Sequence, residues 1–216
     1  MGNRYARILA AGGAAALALT LGVPAALASG TWTIQPGGGI QAASGKLTLS
    51  DTTTRQTLNC ASSTVSGKLK SGSGRPGFHA GSLSAVSFVT CTSPGVRTVN
   101  LPRRFTFTLQ AGGLPWHVNF SAYDAAEGVA RGTISHLHLA LSGAGCAAMI
   151  DGTSATADNG RAAFKYTDST GALRLTTGGN LHWYDVSGCL GLVNDGDRAA
   201  LSAIYTLSPK QAITSP

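Results

Sequence analysis

The chain has 216 residues, with 16 Lys and Arg against 9 Asp and Glu, a formal net charge of +7 and only 12% charged residues. That length is enough for one domain with a real core, or two small ones. So few acidic residues argue against a glycosidase-type carboxylate pair, and scattered basic residues with no Lys/Arg run argue against nucleic-acid binding.

Residues 1–28 read as a signal peptide. Arg4 and Arg7 form a basic start, Ile8 to Leu27 is almost wholly Ala, Leu, Gly and Val, and Ala26-Leu-Ala28 fits the cleavage rule. Cutting after Ala28 removes two Arg and takes the net charge from +7 to +5. A retained anchor is the alternative, but the run is Ala/Gly-rich and ends at a good cleavage site. No later stretch is long and apolar enough to span a bilayer. The mature product is expected to be secreted, with no membrane association. Its mild basicity fits solubility or attraction to anionic wall polymers.

From Ser29 onward the chain is dense in Gly, Ser, Thr and Ala, with short apolar stretches between turn signals and no sustained helical period. The expectation is a single all-β domain over 29–207, a disulfide-stapled sandwich or barrel of many short antiparallel strands. Trp32 and Ile34 mark a first strand. Leu47 and Leu49 share one face of a second, and Asp51-Thr-Thr-Thr54 turns the chain into Gln56–Cys60. Val65–Leu69 reads as a further short strand and Ser71–Gly77 as a flexible loop. After a turn at Pro94-Gly95, Phe105, Phe107 and Leu109 face inward from the clearest strand. Trp116, Val118 and Phe120 then alternate against His117 and Asn119. Leu137, Leu139 and Leu141 form the apolar face of the next strand, opposite His136 and His138. Ala163–Tyr166 and Ala172–Thr176 read as a hairpin. A last strand covers Ala199–Leu207, and 208–216 reads as a flexible tail.

One pattern occurs twice. Gly81-Ser-Leu83 through Val86 and Phe88 to Cys91 matches Gly179-Asn-Leu181 through Tyr184 and Val186 to Cys189. It is read as an internal repeat, with pseudo-repeats near 46–110 and 132–207. Four cysteines in an exported chain imply two disulfides. Three connectivities are open, and the duplication favours Cys60–Cys91 with Cys146–Cys189. With no Cys-x-x-Cys spacing, a zinc site is the weaker reading.

With these residues laid out, the chain resembles a family of uncharacterised small exported proteins of actinobacteria, streptomycetes and their relatives. The similar features are Thr31-Trp-Thr33, Gly113-Leu-Pro-Trp116, Gly132-Thr-Ile134, Gly179-Asn-Leu-His182, Val186-Ser-Gly-Cys189 and the ending Ser208–Pro216. The resemblance covers nearly the whole mature chain and implies a secreted bacterial protein. It carries no activity or site that transfers to these residues.

A search for chemistry finds no Gly-x-Ser-x-Gly elbow, P-loop or dinucleotide fingerprint. Asp51, Asp151, Asp158, Asp168, Asp195 and Asp197 sit in turn contexts. Asp195 and Asp197 are calcium-capable, but no further ligands follow at a known spacing. His136 and His138, two apart on a strand, share a face, and pairing residues 115–123 with 131–142 sets His117 opposite one of them. That makes His117, His136 and His138 a candidate zinc or copper patch, against a plain polar face. Trp183 and Tyr184, with Trp116, are candidate ligand-contact aromatics, against core packing. No catalytic residues and no cofactor are assigned. The function expected is a non-catalytic binding or cell-envelope protein, its partner a wall or extracellular polymer or another protein. A secreted hydrolase with a loop-borne site and an extracellular protease inhibitor are the alternatives.

Overall fold

A computed structural model describes residues 30–94 and 104–216. The signal-peptide reading and Gly95 of the turn at Pro94 lie outside the described residues.

The chain runs through β1 (Thr31–Gln35), β2 (Gly38–Asp51), β3 (Thr57–Leu69), β4 (Gly72–Pro76), β5 (Gly81–Pro94), β6 (Arg104–Gly112) and β7 (Trp116–Asp124). It continues with β8 (Val129–Gly143), β9 (Cys146–Asp151), β10 (Gly160–Thr167), β11 (Ala172–Gly179), β12 (His182–Ser187), β13 (Ala199–Ser208) and β14 (Ala212–Thr214). Alternation drives these elements: in β13 every second residue is buried, from Ala199 through Leu201, Ala203 and Tyr205 to Leu207.

The fold is all-β and antiparallel, and its ladders close on themselves. One circuit runs β10–β11–β13–β2–β3–β5–β7–β8 and back to β10. Closure leaves that end of the molecule with no free sheet edge. The long strands β13, β2, β3, β5 and β8 continue into a second circuit through β6, β9 and β12. It closes where Trp183 N–H donates to Asp197 O at 2.9 Å and Ala199 N–H donates to Leu181 O at 2.9 Å. A small sheet, β14–β1–β4, covers one end with Ile34 and Ile213 buried.

Several expectations are revised. Thr57–Cys60 and Val65–Leu69 belong to one strand of 13 residues, β3, because the small residues between them keep a continuous ladder with β2. Ser71–Gly77 is not a free loop: β4 pairs with β1. The tail is not flexible. Tyr166 Oη donates to Gln211 O at 2.8 Å and accepts from Gln211 N–H at 2.9 Å, and β14 pairs with β1. The two Gly-to-Cys segments also sit differently. The first lies wholly in β5, whereas the second starts on the last residue of β11 and continues through β12.

Cys60 is bonded to Cys91 and Cys146 to Cys189. The first bridge joins facing ladder positions of β3 and β5; the second ties the start of β9 to the chain after β12. The interior is one continuous apolar cluster. A ring of this strand number leaves just enough room for side chains to fill. The remaining cavity, about 60 Å³, is wholly apolar and lined by residues including Leu83, Trp116, Phe120, Ile134 and Tyr166. It is less than half the volume of the roughly 150 Å³ apolar cavity that admits benzene.

Candidate functional site

Strand β8 switches the face it buries halfway along. Ala130, Gly132 and Ile134 are buried in its first half, and Leu137, Leu139 and Leu141 in its second. The switch occurs at His136, whose backbone is left-handed (φ 63°) and which β10 skips as the register passes from Ser135 to Leu137. A bulge of this kind re-aims side chains. His136 and His138 both lie opposite Leu137, yet they do not share a patch: His136 meets the rings of His117 and His79, whereas His138 meets Asp151 and Asp158. The switch also corrects the expected hairpin register: Val118 faces Ile134, and His117 faces Ser135.

The partner that His117 and His136 do acquire is His79, which the sequence reading passed over. His79 lies on the short link between β4 and β5, also with left-handed backbone (φ 50°). The link is clamped onto β7: Phe120 N–H donates to Gly77 O at 2.9 Å and His79 N–H donates to Asn119 Oδ1 at 2.8 Å. Gly77 is required there, because a Cβ would collide with the Phe120 carbonyl and lie 2.6 Å from Trp32 Nε1. The only local signal for His79 is its place beside a glycine-rich turn.

The result is a ladder of rings. Phe78 is 68% exposed and stacks on His79, centroids 3.8 Å apart and planes 21° apart. His79 stacks on His117 at 4.1 Å and 19°. His136 stands edge-on to His117, at 4.7 Å and 79°, and 6.3 Å from His79. Partial burial, then the neighbouring imidazoles of His79 and His136, hold His117 below the usual histidine range, so its neutral form is favoured. His79 Nε2 is buried and has no hydrogen-bond partner among the described residues.

His138 belongs to a different assembly. Its Nδ1 lies 3.0 Å from Asp151 Oδ2 and 3.3 Å from Asp158 Oδ1. Among the described residues this is the one set whose possible ligand atoms lie within 4.8 Å of one another. Its buried carboxylate, Asp151, is already satisfied. Asp151 Oδ1 accepts backbone N–H groups from Gly152, Asn159 and Gly160, and Oδ2 accepts from Asp158. Burial would raise the Asp151 carboxyl, but the hydrogen bond from His138 and those backbone donors outweigh it and hold it below the usual range. A carboxylate so saturated organises the 151–160 loop.

The other aspartates are also acceptors in turns. Asp51 takes the Thr53 and Thr54 N–H groups, each at 2.8 Å, Asp168 takes Ile213 N–H, and Asp195 takes Val186 N–H. Asp197 accepts from the Asn194 amide at 2.9 Å. Burial, together with its neighbour Asp197, raises Asp51. At 1% exposure Asp51 has no route to a substrate, so this pair is a turn staple rather than an acid–base centre.

Neither predicted contact aromatic is free. Trp183 is 2% exposed and packs near Leu49, Leu58, Phe107, Leu141 and Val193. Tyr184 donates its hydroxyl to Gly152 O at 3.1 Å and is half-buried. Trp116 is buried, and its indole N–H donates to Gly112 O at 2.9 Å. Trp183 is the one fully buried residue of β12, and its backbone N–H lies in the ladder that closes the second circuit, which removes it from solvent.

Comparison with protein-family models, curated proteins and solved structures finds no match. The ring ladder therefore stands on its own geometry.

Proposed function

We propose that this protein is a secreted, non-catalytic binding protein of the bacterial cell envelope, and that Phe78, His79, His117 and His136 form its contact surface. One observation carries the reading: an exposed aromatic ring is stacked on imidazoles that a closed barrel holds in place. A flat apolar face bordered by imidazole N–H edges suits a sugar ring of an extracellular polymer, which offers an apolar face and hydroxyl groups.

Other features agree with it. Two disulfides are compatible with an extracellular protein. Among the described residues no helix is long and apolar enough to cross a membrane. The resemblance to actinobacterial exported proteins supports export, as does the basic, apolar N-terminal segment. The interior cavity is too small for a ligand of ordinary size, which directs attention to the outer surface.

The test is co-sedimentation with isolated bacterial cell walls carrying their anionic polymers. The mature protein is expected in the pellet, and the Phe78→Ser/His136→Ala variant in the supernatant. If neither protein pellets, or both pellet equally, the reading is overturned.

A further inference from the structure

We infer that His79, His117 and His136 form a three-histidine site for a borderline divalent transition ion, copper(II) or zinc(II). This rests on the reading above only for the location of the contact surface.

Three separate parts of the fold deliver these side chains: the β4–β5 link, the start of β7 and the bulge in β8. Three imidazoles on one ion, at metal–nitrogen distances of about 2.0–2.1 Å, have ring centres on the order of 5 Å apart. The observed spacings of 4.1, 4.7 and 6.3 Å bracket that value. The nitrogens do not yet converge, because His79 and His117 lie nearly parallel. Binding requires the His79 ring to turn out of its stack, beneath Phe78, and the unpartnered Nε2 gives it no hydrogen bond to lose.

The backbone is committed to this arrangement. Both His79 (φ 50°) and His136 (φ 63°) take left-handed backbone, a conformation that histidine, like Asn and Asp, adopts more readily than most residues, and at each it sets the direction in which the ring leaves the chain. A supporting network is also present. Asn119 accepts His79 N–H through Oδ1 and donates through Nδ2 to Ser135 Oγ at 2.9 Å, and Ser135 Oγ lies 3.4 Å from His136 Nδ1. A hydrogen bond at Nδ1 orients an imidazole and leaves Nε2 as the ligand atom.

The donor set selects the ion. Imidazole suits copper and zinc, whereas calcium and magnesium require oxygen ligands. Three protein ligands leave a fourth position open, available to an anionic oxygen from outside.

The experiment is calorimetric titration of the mature protein, carrying no histidine tag, with CuCl2, ZnCl2 and CaCl2. One copper or zinc ion per chain is expected, copper tighter, with Kd on the order of micromolar or below, and no heat from calcium. His79→Ala, His117→Ala and His136→Ala should each weaken binding by at least about tenfold, the lower bound set by what losing even an outer-shell partner costs. His138→Ala should leave it within about twofold, because His138 belongs to the Asp151 assembly. His136 is exposed, so its variant should fold normally, and a melting curve checks each protein. Absence of binding overturns the proposal, as does loss of binding in His138→Ala alone. If wall co-sedimentation persists without ion binding, only the ion site fails. Ion binding without wall retention removes the wall contact and leaves the site standing.

Discussion

Asp151 and His138 are joined by a hydrogen bond of 3.0 Å, with the Asp151 carboxylate fully enclosed. Four backbone N–H groups share that carboxylate, so its charge is neutralised entirely by oriented donors. The sign of its pH dependence follows. The folded carboxyl lies below its ordinary value of 3.8, so the unfolded chain takes up the proton first as pH falls. The stabilisation is complete above about pH 5 and is lost as pH drops through 3.8 towards the folded value. Asp151→Asn should cost on the order of 3 kcal/mol at neutral pH, because an amide hydrogen would face donors. Its acid-unfolding profile below about pH 5 should also be flatter than wild type. Urea unfolding across a pH series checks both, and an unchanged acid limb would count against the assignment.

The disulfides close loops of 31 and 43 residues. In the chain-entropy model these contribute roughly 3–4 kcal/mol each. For a domain of this size that corresponds to about 6–16 °C in Tm per bridge. Either Cys→Ser pair also leaves two polar groups in the core, since all four cysteines are buried. Calorimetry on each pair, and on the protein lacking both, gives the measurement; a Tm unchanged in the double-bridge variant would show that closure of the ladders alone maintains the fold.

Tyr166 and Gln211 hold the C-terminal strand against the barrel end. Tyr166→Phe removes a hydroxyl that both donates to and accepts from the Gln211 backbone. Leaving those buried groups unpaired should cost about 1–3 kcal/mol. Faster amide exchange is expected at Gln211 and Ile213, with residues of β3 unaffected. Uniform acceleration throughout the chain would instead indicate global destabilisation.

Trp183 distinguishes packing from recognition. As a core residue, Trp183→Ala should lose about 3–5 kcal/mol. Trp183→Phe should lose less and leave wall retention unchanged. Phe78→Ala, at an exposed position, should stay within about 0.5 kcal/mol of wild type. If Trp183→Phe abolishes retention while keeping its Tm, the contact surface has been misplaced.

Much of the fold is legible in the sequence because its causes are local. Phe105, Phe107 and Leu109 announce β6 through alternation, and Ser169-Thr-Gly171 announces the turn between β10 and β11 through its conformational preferences. The site was only half legible. His117 and His136 were found, but His138 was grouped with them because it lies two residues from His136. The left-handed residue at the bulge shifts the register against His117, and the 151–160 loop takes His138 through Asp151 and Asp158; no side-chain pattern announces either. His79 was missed because its approach to His117 depends on the hydrogen bonds that hold the β4–β5 link to β7.

The sequence by itself determined that the chain is all-β and carries four cysteines suited to two bridges, since strand periodicity and cysteine count need no knowledge of distant partners. Tertiary structure alone decided how β8 meets β10 to close the barrel, which face each half of β8 buries, and which histidines meet. Those outcomes depend on ladder register between remote segments and on backbone conformation at single residues, where the energy comes from pairing across the whole sheet rather than from neighbours along the chain.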